Sequence, residues 1–254
     1  MQRLELSGLG RRFGGLQAVA DVSCSVRRGE IFGVIGPNGA GKTTLFNLIA
    51  GIHRPTSGRV VFEGRDITGK SSDAVARLGI GRTFQAVREF RDVSVLENLR
   101  RAALLAHSYD PLRHAINVWR RNQAALDGCE EVARFVGLGD VLNSPAGGLS
   151  YGTKKILGIG MAIMQEPKVL LMDEPAAGLN PTEKVRMGDV IRRIRDERNI
   201  DVLLVEHDMR LIMGTCDRIL VMNQGRPIAV GLPDEIRANQ AVIDAYLGAE
   251  YDFA

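Results

Sequence analysis

The stretch that decides the fold lies at residues 36–44, which read Gly36-Pro37-Asn38-Gly39-Ala40-Gly41-Lys42-Thr43-Thr44. It matches the pattern G-x-x-x-x-G-K-[ST], in which glycines turn the backbone tightly and aim N–H groups at a phosphate. The apolar residues 31–35 before it predict a buried strand, and residues 45–50 after it predict a helix. Since strand, glycine loop and helix are the context that this motif requires, residues 36–44 are interpreted as a nucleotide site. A glycine turn that matches by chance is the alternative.

Within this loop two side chains carry the predicted chemistry. The ammonium of Lys42 is expected to reach the β- and γ-phosphates, and the hydroxyl of Thr43 to ligate Mg²⁺. The remaining residues of the loop are expected to contact the nucleotide through the backbone, and the N-terminus of the following helix adds partial positive charge.

Composition sets broad limits on the function. The chain has 254 residues, and its 45% hydrophobic and 25% charged content is ordinary for a globular protein. A net charge of +3 is too small to argue for nucleic acid by itself. Cys24, Cys129 and Cys216 lie far apart, so buried thiols in a reducing compartment are expected. No long apolar run and no apolar leader appear, and neither a membrane span nor a signal peptide is expected.

Hydrophobic periodicity predicts one α/β domain over the whole chain. Residues 4–28 alternate and predict two or three antiparallel strands, which form a β subdomain at the N-terminus. Residues 1–85 and 161–254 together predict the nucleotide-binding core. From residue 86 to 160 strand patterns vanish, and Ser94-Val95-Leu96-Glu97 has the form of a helix capping box. An inserted α-helical subdomain is therefore predicted at 86–160.

Two predicted strands end in acidic residues. Strand 169–172 delivers Asp173 and Glu174, and strand 201–205 delivers Glu206 and His207. Ligands of open α/β sheets bind at the carboxyl ends of strands, where a carboxylate can hold a metal or orient an attacking water. A solvated carboxylate is the alternative for Glu174, and an isolated histidine is more often structural.

Read together, these motifs resemble the ATP-binding-cassette ATPases over essentially the whole chain. The phosphate loop, Gln85, Leu149-Ser150-Tyr151-Gly152, Asp173-Glu174 and His207 follow one another in that family's order. The stretch from Leu149 resembles the family's LSGGQ signature, which separates it from other phosphate-loop proteins. The resemblance implies an α/β phosphate-loop core of the ABC ATPase type, with ATP and Mg²⁺ as ligands.

The resemblance also implies the catalytic roles. Glu174 would orient or deprotonate the attacking water, and His207 would contact the γ-phosphate. Thr43, Gln85 and Asp173 would hold Mg²⁺, and Gln85 would also take part in catalysis. Hydrolysis of ATP needs positioning and charge neutralisation more than covalent help, which suits this set.

Phe13 lies in a glycine-rich turn ahead of the phosphate loop. From local sequence, adenine stacking and a half-buried strand position are equally supported. Its position in the family pattern implies adenine stacking.

In this family the signature faces the phosphate loop of a second subunit. The resemblance therefore implies that Leu149, Ser150, Tyr151 and Gly152 act in trans on a partner's ATP, and that an isolated chain is nearly inactive. Thr153 replaces the usual signature glutamine, and a modest loss is expected because that position is peripheral to the phosphate.

Four further stretches look like the cassettes of branched-chain amino acid importers, most of all the larger of the two ATPase subunits. They are Phe13-Gly14-Gly15-Leu16-Gln17-Ala18-Val19, Arg82-Thr83-Phe84-Gln85, Glu206-His207-Asp208-Met209 and Ala245-Tyr246-Leu247-Gly248. Asn180 stands where many ABC ATPases have aspartate, and this branch commonly has asparagine there. Relatives with these features also import amides, urea or aromatic acids, so those substrates stay open.

This branch implies partners and a location. The partners are two integral membrane permease subunits, a second cassette that is a related ATPase or another copy, and indirectly an extracytoplasmic solute-binding protein. The chain would be cytoplasmic, peripheral on the inner face of the plasma membrane, without nucleic acid. The groove beside Gln85 and residues 86–92 is the predicted permease docking site.

Two other functions are weighed against transport. A mechanical ATPase on DNA or ribosomes would carry coiled-coil arms or two cassettes, and no sustained heptad lies between Gln85 and Leu149. A scaffold that binds nucleotide without hydrolysis is opposed by the intact Lys42, Asp173 and Glu174.

Overall fold

The computed structural model describes residues 2–83, 89–107 and 128–250, with backbone alone for 105–107 and 247–250. The predictions for Gln85 and for residues 86–88 of the docking groove therefore lie outside the described residues.

Two β-sheets organise the described chain. An antiparallel sheet has the order β2-β1-β4-β5 and comprises β1 (Gln2–Phe13), β2 (Leu16–Arg27), β4 (Ser57–Phe62) and β5 (Arg65–Asp66). The second sheet has the order β10-β9-β3-β8-β7-β6. Its strands are β3 (Ile31–Ile35), β6 (Ile80–Arg82), β7 (Val169–Asp173), β8 (Asp201–Val205), β9 (Arg218–Asn223) and β10 (Arg226–Gly231). The strands from β9 to β6 run parallel, and β10 is antiparallel.

Helices cover the second sheet and build the region that the sequence predicts to be helical. They are α1 (Lys42–Ile49), α2 (Ser72–Arg77), α3 (Val95–His107), α4 (helical residues 128–136), α5 (Tyr151–Ile163), α6 (Pro181–Arg198), α7 (Met209–Thr215), α8 (Pro233–Ala238) and α9 (Gln240–Glu250). Within the part of the chain that the structure describes, no helix is both long and apolar enough to cross a membrane.

The fold class and most elements agree with the sequence predictions. Strands β3, β7 and β8 are buried at every position, as expected for a parallel sheet covered on both faces. The N-terminal alternation corresponds to the long hairpin β1–β2. Helix α3 begins after Ser94, whose hydroxyl accepts the Glu97 N–H at 3.1 Å. The apolar spacing of residues 233–247 predicts one C-terminal helix, but the structure has two, α8 and α9, which Asn239 separates in an extended conformation.

The helical region packs as one layer through small and branched residues. A Cβ added to Gly160 of α5 would lie 3.1 Å from Leu99 of α3, so the two helices approach closely there. Cys129 and Val136 of α4 are buried in the same cluster. Cys216 is also buried, Cys24 is half-buried, and all three are free thiols.

Candidate active site

The phosphate loop joins the end of β3 to the start of α1, as the sequence predicts. Gly36 has φ +152° and Gly41 has φ +96°. A Cβ at Gly36 would lie 2.1 Å from the Met222 carbonyl oxygen, and one at Gly41 would lie 2.4 Å from that of Ala18. Both positions therefore need glycine for backbone conformation and for space.

Neighbouring elements clamp the outside of this loop. Gly225, in the β9–β10 turn, donates its N–H to the Ala40 carbonyl at 3.0 Å, and its own carbonyl accepts the Ala20 N–H at 2.8 Å. The Gly36 backbone also forms a hydrogen bond to the Tyr246 hydroxyl. Burial raises the pKa of Tyr246 to about 12, and this hydrogen bond acts in the opposite direction. The C-terminal helix thus reaches the first residue of the loop.

Lys42 is held inside the loop. Its buried ammonium donates to the carbonyl oxygens of Gly36 at 2.7 Å and Pro37 at 3.0 Å. Burial lowers its pKa, and the negative charges of Glu174 and Asp173 oppose that shift. The cation therefore faces both carboxylates from across the loop, where phosphate oxygens can replace the two carbonyls.

Asp173 ends β7 and is only 5% exposed. Its carboxylate accepts from the Arg82 guanidinium at 3.0 Å, and Arg82 also donates to the Asn47 side chain of α1 at 2.6 Å. Burial raises the pKa of Asp173, and the charge of Arg82 opposes this. Arg82 thus joins the helix of the phosphate loop to the strand that carries Asp173.

Glu174 follows directly and lies beside His207. The Glu174 Oε1 and His207 Nε2 atoms are 2.9 Å apart. Glu174 has φ +50°, a left-handed conformation that is uncommon for a residue other than glycine. Its N–H donates to the Val205 carbonyl at 2.9 Å, and its carbonyl accepts from the Lys155 ammonium at 2.7 Å.

Glu206 supports the loop that follows Glu174. The carboxylate is almost fully buried and accepts the backbone N–H groups of Ala176 and His207. Burial raises the pKa of Glu206, and these two hydrogen bonds oppose the shift. Glu206 therefore fixes both the turn after Glu174 and the backbone of His207.

The signature residues begin α5. The Ser150 hydroxyl caps the helix by accepting the Thr153 N–H at 3.2 Å, and the two hydroxyl oxygens lie 2.9 Å apart. Gly152 packs against α6, because a Cβ there would lie 2.6 Å from the Glu183 carboxylate. Tyr151 is 56% exposed. The start of α5 thus presents a hydroxyl and the positive end of a helix, which suit an anion.

Comparison with known proteins agrees with this geometry. A family model described as "ABC transporter" matches residues 19–177, and one described as "Branched-chain amino acid ATP-binding cassette transporter" matches residues 226–252. The chain belongs to the ABC transporter family. It is therefore an ATP-binding subunit and ATPase of a transporter, which works with membrane permeases.

Among its ABC relatives are two "High-affinity branched-chain amino acid transport ATP-binding proteins". LivG of Salmonella typhimurium is 44% identical over 96% of this chain and 97% of its own length. BraF of Pseudomonas aeruginosa is 43% identical over the same shares. A crystal structure of an ATP-binding cassette of an ABC transporter in its ADP conformation superposes with a TM-score of 0.86 at 31% identity, covering 98% of this chain and 99% of that one.

The structure brings together most of the site residues predicted for an ABC ATPase. The loop, Asp173, Glu174 and His207 meet at one edge of the second sheet, whereas Gln85 is not described. The residues that sequence reasoning missed are Arg82 as a partner of Asp173, Lys155 and the supporting role of Glu206. Arg82 and Glu206 stood within quoted family motifs, but no local pattern pointed to the contacts they make.

The predicted adenine-binding residue is accessible. Phe13 is 38% exposed at the end of β1, with the Arg11 guanidinium 4.5 Å from its ring centre and the His53 ring edge-on at 5.3 Å. Its stacking on adenine stays a prediction.

The described residues fit a nucleotide and Mg²⁺. The backbone N–H groups of a glycine loop at a helix N-terminus suit phosphate oxygens, and Lys42 supplies a cation for them. Thr43 and Asp173 offer hydroxyl and carboxylate oxygens, which are the hard donors that Mg²⁺ prefers beside phosphate oxygens.

Proposed function

We propose that the chain is the ATP-hydrolysing subunit of an importer for branched-chain amino acids. One observation supports the proposal. The chain has both an ATPase site, formed by the phosphate loop and the Asp173–Glu174–His207 cluster, and a C-terminal region that matches the branched-chain amino acid transporter family. The two relatives described above carry that substrate in their names. The transported molecule crosses through permeases, so no side chain of this site selects it.

Each site residue receives a role in hydrolysis. The loop 36–44 and Lys42 hold the phosphates, and Phe13 stacks on adenine. Thr43, Gln85 and Asp173 hold Mg²⁺, which supplies charge neutralisation when bound. Glu174 accepts the proton of the attacking water or orients it, and His207 contacts the γ-phosphate and holds the Glu174 carboxylate.

The signature acts on a second cassette. The hydroxyl of Ser150 and the amide of Gly152 lie at the start of α5, and Tyr151 beside them is exposed, which supports their contact with ATP on a partner. Two cassettes face to face would thus enclose two nucleotides. The partner is a related ATPase or another copy of the chain.

Glu174→Gln tests the catalytic role. General-base catalysis contributes about 10²- to 10⁴-fold, so turnover should fall by that factor while ATP binding persists and nucleotide-bound dimers accumulate. Glu166→Gln is a matched control, because Glu166 is exposed, has φ +50° and precedes the same strand β7. Turnover in Glu174→Gln equal to that of the control would remove Glu174 from the mechanism.

Permease docking is proposed beside Gln85 and residues 86–92, which places the chain in the cytoplasm against the inner face of the membrane. Phe90 supports this location, because it is 45% exposed with the Arg101 guanidinium 4.6 Å from its ring. Arg88→Glu combined with Phe90→Ala should abolish co-purification with the two permeases and coupled uptake. Intact co-purification and uptake would contradict the docking site. An extracytoplasmic binding protein would deliver the amino acid.

The alternative of a mechanical ATPase on nucleic acid has no support from the comparisons, whose named relatives are transport proteins.

A further inference from the structure

Lys155 is a buried cation that the proposed mechanism does not use. It lies on α5, the helix that Ser150 caps, and its side chain is only 6% exposed. Lysine is almost never fully buried unless its ammonium is paired, because removal of the charge from water is costly. The buried ammonium of Lys155 is therefore expected to have specific hydrogen-bond or charge partners.

The ammonium of Lys155 meets the catalytic segment. It donates to the Glu174 carbonyl oxygen at 2.7 Å. Its charge also acts on the buried Glu206 carboxylate, where it opposes the rise in pKa that burial causes. The ring of Tyr151 lies 5.3 Å from the same ammonium. Glu174 directly follows β7 and Glu206 directly follows β8, so Lys155 connects α5 to the ends of both strands.

The backbone of Glu174 needs such a contact. A left-handed conformation outside glycine costs about 1–2 kcal/mol and persists only where its surroundings impose it. Hydrogen bonds hold the Glu174 backbone at both of its polar groups: its N–H donates to the Val205 carbonyl, and its carbonyl accepts from the Lys155 ammonium. Since the backbone sets the direction of the side chain, Lys155 influences where the carboxylate meets His207.

We propose that Lys155 is a positioning residue that holds Glu174 in its catalytic conformation and links it to the signature helix. The proposal rests on the catalytic role proposed for Glu174. Ser150 and Lys155 lie five residues apart on one helix, which spans about 7–8 Å at 1.5 Å per residue. If α5 shifts when Ser150 binds the nucleotide of the partner subunit, Lys155 shifts with it. The hydrogen bond from Lys155 to the Glu174 carbonyl of the same chain would then change.

The first test measures the backbone without nucleotide. Amide hydrogen exchange of residues 173–178 in the full chain should become about tenfold or more faster in Lys155→Met, because the segment loses a fixed carbonyl and opens more readily. Lys155→Arg retains a cation and should exchange more slowly than Lys155→Met. Lys154→Met is the matched control for this exchange measurement, because the Lys154 ammonium instead donates to the Gly147 carbonyl at 3.1 Å and pairs with the Glu89 carboxylate at 3.5 Å. This control should leave exchange of 173–178 unchanged.

The second test separates positioning from binding. In the co-expressed transporter, Lys155→Met should lower kcat by about 10- to 100-fold, the range for a misplaced catalytic group, with nearly unchanged ATP affinity of the purified chain. Lys155→Arg should recover part of kcat. Should Lys155→Met fold poorly, the Lys155→Met/Glu206→Gln double variant removes both buried charges. Its exchange is compared with that of Glu206→Gln alone, because Glu206 accepts the Ala176 N–H within the measured segment.

The outcomes distinguish this proposal from the proposed function. Unchanged exchange of residues 173–178 in Lys155→Met would overturn the positioning role, as would a loss of ATP affinity as large as the loss of kcat. Normal turnover in Glu174→Gln would instead overturn the catalytic role of Glu174. Faster exchange of residues 173–178 together with a lower kcat in Lys155→Met, and unchanged exchange of that segment in Lys154→Met, supports the proposal.

Discussion

Replacement of Arg82 by glutamine is expected to destabilise the nucleotide-free protein more than the protein loaded with nucleotide and Mg²⁺. The variant leaves Asp173 buried without the cation that lies 3.0 Å away. Removal of one partner from a buried ion pair costs about 3–5 kcal/mol. The Arg82 side chain is 15% exposed, so solvent screens part of this pair, and a loss of about 2 kcal/mol in the free energy of unfolding is expected. In a domain of this size that loss lowers Tm by about 4–8 °C.

Bound nucleotide and Mg²⁺ should reduce the loss of stability that Arg82→Gln causes. Mg²⁺ brings positive charge to the Asp173 carboxylate, so it takes over part of the role of the guanidinium. Calorimetric melting with a saturating non-hydrolysable ATP analogue and Mg²⁺ should therefore show a smaller Tm difference between Arg82→Gln and the unchanged protein. With the analogue in EDTA, the larger difference should return.

The control and the refuting result use the same assay. Arg134→Gln breaks an exposed ion pair with Glu130 at 2.7 Å and should change stability by less than about 1 kcal/mol. Asp173→Asn added to Arg82→Gln should recover part of the lost stability, because no buried charge then remains unpaired. An equal Tm loss with and without Mg²⁺ would show that Arg82 contributes packing alone, and the electrostatic reasoning would be wrong.

The remaining predictions concern the signature and the C-terminal helix. Gly152→Ala should lower stability by no more than about 1 kcal/mol, measured by urea unfolding. Its methyl group displaces the Glu183 carboxylate, 2.6 Å away, from the Asn180 N–H, but alanine gains about 1 kcal/mol of helix propensity over glycine. Thr153→Val removes the hydroxyl 2.9 Å from that of Ser150 and should change dimer formation with ATP, measured by light scattering, more than it changes ATP binding to the monomer. Tyr246→Phe removes the hydroxyl that accepts from the first loop glycine and should cost about 1 kcal/mol in thermal unfolding.

Local patterns explain why part of the site could be predicted from the sequence. The positive φ angles of Gly36 and Gly41 favour glycine locally, so the motif is readable from the sequence even though the space requirement comes from neighbouring strands. The buried strands β7 and β8 are short apolar runs that end at acidic residues. The family resemblance added the signature, whose proposed role cannot be read from local sequence because the phosphate loop that it is proposed to face lies on another chain.

The contacts that the sequence did not predict join distant segments. Arg82 and Asp173 are 91 positions apart, and Lys155 and Glu174 are 19 apart. In the sequence alone, an arginine at the end of a strand, such as Arg82, or a second lysine in a helix, such as Lys155, looks like an ordinary solvent-exposed residue. Only the packing of α5 and the order of the strands bring Arg82 to the Asp173 carboxylate and Lys155 to the Glu174 carbonyl, and no local propensity encodes that order. Asn239 similarly ends α8 in a stretch whose apolar spacing alone predicts one helix.

Sheet order accounts for the pairings at the site. Strand β8 lies between β3 and β7, so His207 after β8 stands between the phosphate loop after β3 and Glu174 after β7. Strand β6 pairs with β7 in the register Arg82 to Leu171, which sets the guanidinium beside the end of β7. Because successive strand residues face opposite sides, a slip of one residue between β6 and β7 would turn Arg82 away from Asp173. The ion pair therefore depends on the same register that buries β7. A core substitution that shifts β6 should thus destabilise the nucleotide-free protein more than the Mg²⁺-loaded protein, as Arg82→Gln does, without touching any ligand.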